Sequence, residues 1–130
     1  MYISSRKEGF TLVEILIVVG IVALLAAIAI PNLLRAKVSA NDASAKATLK
    51  TIATVLENYY SINNIYPPTT NALLGAQPPY LNTDYFTGTH NGFTYVAGLG
   101  SYSYLITAAP ISSSQGTSSF TIATGSVTSW

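Results

Sequence analysis

Few residues in this chain could do chemistry, and they are scattered. Cysteine is absent, which excludes thiolate metal sites, disulfides and cysteine nucleophiles together. His90 is the one histidine, set in a Thr89-His90-Asn91-Gly92 stretch that reads as a loop, and no second imidazole or thiolate exists to share a metal with it. Ser112, Ser113 and Ser114 lack the flanking glycines of a nucleophile elbow and have no triad around them. Beyond Glu57 the only carboxylate is Asp84, too little for a hard-cation cage. No catalytic residue, cofactor or metal is expected. What remains is Glu14, a carboxylate followed directly by an uncharged run from Ile15 to Leu34. At bilayer depth a carboxylate costs on the order of 2.5 to 3.5 kcal/mol on insertion scales, so it calls for a specific partner.

The element that carries Glu14 defines the class of protein. The run from Ile15 to Leu34 is rich in Ile, Leu, Val and Ala, and as a helix it extends about 30 Å, the thickness of a bilayer core. Hydrophobic residues are 49% of the 130-residue chain and charged residues only 8%, far below the roughly 25% of soluble proteins. A formal charge of +1 leaves no basic footprint for nucleic acid. Arg6 and Lys7 ahead of the run allow an ordinary secretory signal, with Ala27-Ile28-Ala29 as a small-x-small cleavage site and Ile30 as the new N-terminus. Glu14 inside the apolar run resists that reading, as does the helical patterning that continues past the supposed cut.

The stretch Gly9-Phe10-Thr11-Leu12-Val13-Glu14, after a short basic leader and before an apolar helix containing Pro31, resembles the N-terminus of bacterial type IV pilins and pseudopilins. The similarity runs over residues 6 to 60. It implies that a prepilin peptidase cuts between Gly9 and Phe10 on the cytoplasmic side and methylates the new Phe10 amine. The apolar run is then retained, and the mature chain carries four basic and four acidic residues, Arg35, Lys37, Lys46 and Lys50 against Glu14, Asp42, Glu57 and Asp84. It further implies that Glu14 of an incoming subunit meets the Phe10 amine of a neighbour, aligning a homo-oligomeric helical filament. Gly20 and Pro31 are weak points where the helix kinks or melts; proline removes one backbone hydrogen bond and crowds the preceding turn.

Past the apolar run, Val38, Ala45, Leu49, Ile52, Leu56 and Tyr59 recur at helical spacing, with Lys46, Lys50, Thr54, Glu57 and Ser61 on the other side. Asp42 and Lys46 form an i,i+4 pair. Asn63 and Asn64, then Pro67 and Pro68, stop the helix. From Tyr66 to Gly92 prolines and glycines predict a loop, with one short turn near Ala72 to Leu74. Three strands follow: Phe93 to Ala97, Ser101 to Ala108 with Tyr102, Tyr104 and Ile106 on one face, and Ser118 to Thr124. The expected fold is α+β: a long N-terminal helix with a small antiparallel sheet of about three strands on its C-terminal half, Leu49, Ile52 and Leu56 facing Phe93, Tyr104 and Phe120. The nine tyrosines are expected in core and cross-strand packing.

The organisation expected is therefore a removed leader (1–9), a membrane and assembly helix (10–34), its amphipathic continuation (35–63), a connecting loop (64–92) and a sheet with the C-terminal segment (93–130). The resemblance implies a prepilin peptidase, an inner-membrane assembly platform, membrane lipid before assembly and further copies of the chain as partners. It places the precursor in the inner membrane as a single pass with its N-terminus cytoplasmic, then in a surface pilus or a periplasmic pseudopilus. The missing acidic calcium ligands and the uncharged Ser/Thr-rich exterior favour a pilus over a type II secretion pseudopilus. An exported or singly anchored binding module that does not assemble is the reading from a different class.

Overall fold

The computed structural model describes residues 9–130. A 52-residue helix, α1 (Leu12–Asn63), is followed by a single helical turn, α2 (Asn71–Leu74), and by strands β1 (Phe93–Leu99), β2 (Tyr104–Pro110), β3 (Phe120–Ala123) and β4 (Val127–Ser129). The chain divides into two units, Met1–Arg35 and Ala36–Trp130, and α1 contributes to both.

In the first unit α1 leaves its large apolar side chains, from Leu12 through Leu34, exposed. It is one helix long and apolar enough to cross a membrane. Such a surface is stable only when lipid or another apolar surface covers it. Gly20 and Pro31 both lie inside α1, which continues through them.

The second unit has the core. Ala45, Leu49, Ile52 and Leu56 recur at steps of three and four, so they fall on one helix face, and Ala53 joins them. They pack against Phe93, Tyr95, Tyr104, Ile106, Ala108, Phe120 and Ile122 of the sheet, with Tyr66, Leu73 and Leu81 of the connecting segment closing the sides. Val38 and Tyr59, expected on the same face, are half-buried. The helix ends where Asn64 enters the left-handed region (φ 58°) and its N–H donates to the Tyr60 carbonyl at 2.7 Å, satisfying an otherwise orphan acceptor.

The sheet is an antiparallel meander, β1-β2-β3-β4, with Leu99 opposite Tyr104, Ile106 opposite Ile122 and Ile122 opposite Thr128. It has four strands, not three. β4 is only three residues long, below the length at which alternation is visible, and it follows a reversal at Gly125 and Ser126, both at positive φ. β2 begins at Tyr104, not at Ser101, because the Gly100 N–H donates to the Ser103 carbonyl at 2.8 Å and makes those residues a hairpin loop. Tyr102 is consequently exposed and does not share the inward face of Tyr104. β1 is entered through Asn91 and Gly92, both at positive φ as a primed hairpin turn requires, with reciprocal backbone bonds between His90 and Phe93.

Polar contacts tie α1 to the sheet, and two of them replace what helical spacing suggests. Asp42 does not pair with Lys46; its carboxylate accepts from the Thr117 N–H (3.0 Å) and hydroxyl (2.7 Å). The Lys46 ammonium instead lies over the rings of Phe120 (4.7 Å) and Trp130 (5.5 Å), a cation–π arrangement. Glu57, on the polar side by periodicity, is half-buried and accepts from the hydroxyls of Tyr66 and Tyr104 and from the Gly125 N–H, each at 3.1 Å.

Burial, and next the hydrogen bond to Glu57, push the Tyr66 phenol up to about 12, and burial also raises Tyr104. The unfolded phenol titrates near 10. The stability linked to Tyr66 is thus fully present below about pH 10 and is lost as pH rises toward about 12. Urea midpoints should fall over that window, and Tyr66→Phe should shallow the fall while lowering the midpoint at neutral pH. An identical alkaline slope in Tyr66→Phe would disprove the linkage.

Candidate assembly site at the start of the apolar helix

The functional candidates gather where α1 begins. Gly9 and Phe10 precede the helix in non-helical backbone; the Phe10 side chain is 86% exposed, and a Cβ on Gly9 would meet no atom within 4 Å. Among the described residues, none crowds the Gly9-Phe10 peptide. Phe10 borders a shallow apolar hollow with Leu12, Ile15, Leu16 and Val19, and a second with Ile15, Ile17 and Val18 that Glu14 also lines.

Thr11 is the residue that sequence reasoning passed over. Its hydroxyl accepts from the Glu14 N–H at 3.2 Å, while the Glu14 carboxylate accepts from the Thr11 N–H (2.8 Å) and hydroxyl (3.1 Å). Two donors that the first helical turn would leave orphaned are satisfied reciprocally, and a negative charge sits at the positive end of the helix dipole. The Thr-x-x-Glu spacing before an apolar run was legible as this capping box. Glu14 is the one formally charged residue between Phe10 and Leu34, and here its own chain holds it. Gly20 and Pro31 lie further along α1, about 15 Å and about 32 Å of rise from Phe10, and take no part in this cluster.

The remaining titratable candidates form no second site. His90 is half-buried between Tyr85 (5.4 Å) and Tyr95 (6.3 Å), with Nε2 unpartnered. Among the described residues no group of three His, Cys, Asp or Glu side chains could hold a metal. Asp84 is spent on its own loop, accepting from the Thr87 hydroxyl (2.7 Å) and next from the Phe86 N–H (2.9 Å), which hold its carboxyl below the usual range.

Residues 4–30, which contain this cluster, match the family described as prokaryotic N-terminal methylation motif. The type IV wide pilus major component of Thermus thermophilus is 36% identical over 97 residues, 72% of this chain and 74% of that one. The chain belongs to the type IV pilin and pseudopilin family. The type IV major pilin of Myxococcus xanthus is 38% identical over 70 residues, 54% of this chain and 32% of that one. The type II secretion system core protein G of Aeromonas hydrophila is 35% identical over 70 residues, 54% and 49% of the two chains. Membership explains a helix start with both a processing motif and an exposed apolar surface.

Proposed function

We propose that this chain is the structural subunit of a type IV pilus, made as a membrane-anchored precursor and assembled into a helical surface filament. The observation that carries the reading is the exposed apolar surface of α1 from Leu12 to Leu34, opened by a single carboxylate at Glu14. Lipid covers that surface before assembly, and the same surface of other subunits covers it afterwards. A prepilin peptidase cuts between Gly9 and Phe10 and methylates the Phe10 amine, with the N-terminus on the cytoplasmic side. The freed amine, whose ordinary pKa is near 7.7 to 8.0, is the countercharge that Glu14 of the next subunit meets. A buried charge left without its partner is strongly disfavoured, so the pair acts as a register mark. Thr11 holds Glu14 until that exchange. Residues 10–34 serve as membrane and assembly helix, 35–63 as its amphipathic continuation, and the loop 64–92 with the sheet segment 93–130 completes the head. Gly20 and Pro31 supply the points at which the helix bends.

Identity to the Thermus pilus component over 97 residues, against 70 for the secretion protein, favours a pilus over a pseudopilus. The test is the mature protein itself. Its mass should equal residues 10–130 plus one methyl group, and Gly9→Val should leave full-length precursor in the inner membrane. Normal mature protein from Gly9→Val would remove the processing assignment. Filaments sheared from the cell surface at native expression would separate a pilus from a periplasmic pseudopilus.

A further inference from the structure

The turn that admits β1 holds a reactive pair of residues that assembly does not use. Asn91 is the only asparagine in the chain followed by glycine. It is exposed, and both members of the pair hold positive φ, 50° and 80°. The backbone bonds of the turn run between His90 and Phe93, at 2.9 and 3.0 Å, and the Gly92 carbonyl accepts from the Ile111 N–H at 3.0 Å. None of these engages the Gly92 nitrogen, which lies beside the Asn91 amide carbon in the chain and has no Cβ to screen it. One contact restrains the amide: Asn91 Nδ2 donates to the Ser44 hydroxyl of α1 at 2.8 Å.

We propose that Asn91 is a site of spontaneous deamidation, with water as the only co-reactant, and that Ser44 is its brake. The Gly92 nitrogen attacks Asn91 Cγ. The N–Cγ bond forms, the Cγ–Nδ2 bond breaks, and ammonia leaves with the proton of the Gly92 N–H. Water then opens the succinimide. Opening at Cγ gives aspartate; opening at the main-chain carbonyl gives isoaspartate, whose backbone runs through Cβ and Cγ. Attack requires the amide to leave Ser44 and the turn to open, so the fold slows a reaction that the bare sequence favours. The other asparagines precede residues whose side chains crowd the attacking nitrogen. The two products differ in effect. Aspartate keeps the turn, since Asp tolerates the left-handed region, and places a negative charge where no Asp, Glu, Lys or Arg follows Asp84. Isoaspartate lengthens the backbone by one carbon inside a turn closed by both His90–Phe93 bonds, so they cannot both persist, and the fully buried Phe93 loses its tether. The inference stands apart from the pilus reading; in a filament the change accumulates with the age of each subunit.

The experiment incubates the purified mature chain, folded in detergent, in mildly alkaline buffer beside a synthetic peptide of residues 87–96. Mass spectrometry follows every asparagine, and an isoaspartyl methyltransferase assay supplies a second readout. Asn91 alone should convert, more slowly in the chain than in the peptide, with both products present. Ser44→Ala should convert roughly five-fold faster than wild type, the factor that one ordinary hydrogen bond is worth. Ser44→Thr, which keeps the hydroxyl, should stay at the wild-type rate, and Asn91→Gln should give no product at this position. Urea midpoints should be lower for chains carrying isoaspartate than for Asn91→Asp. An intact Asn91 after the peptide has fully converted, or conversion spread evenly over the asparagines, would overturn the proposal. Equal rates in the Ala and Thr variants of Ser44 would overturn the brake.

Discussion

Replacing Glu14 with Val should abolish surface filaments while leaving a normal pool of mature, membrane-embedded subunit. Removing a carboxylate from an apolar segment makes insertion easier, so the precursor should reach the membrane at least as well as wild type. The Gly9-Phe10 peptide is untouched, and cleavage should proceed. Two things are lost together. The start of α1 loses its capping partner for the Thr11 N–H, a penalty of about 0.5 to 2 kcal/mol by analogy with other caps. More seriously, the Phe10 amine of a neighbour would be buried in the filament without a countercharge, a loss of roughly 3 to 5 kcal/mol for a broken buried pair. At 1.4 kcal/mol per factor of ten, the second effect alone suppresses each addition step by two orders of magnitude or more. Thr11→Val separates the two, since it deletes the hydroxyl of the box and leaves the carboxylate. Its filaments should be reduced, not absent. The measurement is sheared filament beside membrane-embedded mature subunit, and wild-type filament yield from Glu14→Val would mean that apolar helix packing alone sets the register.

A fragment beginning at Arg35 should be soluble and melt cooperatively, whereas one beginning at Asn64 should not fold. The first drops the exposed apolar surface and retains the whole second unit, Ala36–Trp130. The second loses the α1 half of the core. Fully burying a Leu or Ile side chain stabilises by about 1.5 to 3 kcal/mol, so removing Leu49, Ile52 and Leu56 takes away roughly 5 to 9 kcal/mol. Small domains have only about 5 to 15 kcal/mol in total. The uncovered faces of Phe93, Ile106 and Ile122 should drive aggregation. Circular dichroism and thermal melts decide the matter: a cooperative transition in the shorter fragment would show that the sheet does not depend on α1.

Much of this structure could be read from residues whose message is local. The helix, its arrest at Asn63 and Asn64, the short turn at Ala72 to Leu74 and the packing face of Leu49, Ile52 and Leu56 all follow from periodicity or from backbone preference over a few positions. What escaped depends on contacts between distant positions or on elements too short to show a pattern. Nothing in the neighbours of Glu57 announces that Tyr66, Tyr104 and Gly125 converge on it, 9, 47 and 68 residues away in the chain. Helical spacing puts Asp42 beside Lys46, but a backbone N–H and a hydroxyl at Thr117 offer a carboxylate two fixed donors, a better site than one mobile ammonium. β4 was invisible at three residues. The Thr11 box, by contrast, is local: the Thr-x-x-Glu spacing at the helix start is enough to announce it.

The aromatic contacts around Lys46 have a practical consequence. Trp130 is the only tryptophan in the chain, and its ring meets Phe120 edge-on at 6.0 Å, directly after β4. Its fluorescence therefore reports one event, the seating of the last strand beside the core. Tyrosine absorbance averages over rings spread through the end of α1, the connecting segment and the sheet. If β4 detaches before the rest of the sheet opens, the indole emission will shift red at denaturant concentrations where the tyrosine signal is still native. Two optical channels in an unlabelled protein can thus tell fraying at one margin from collapse of the whole.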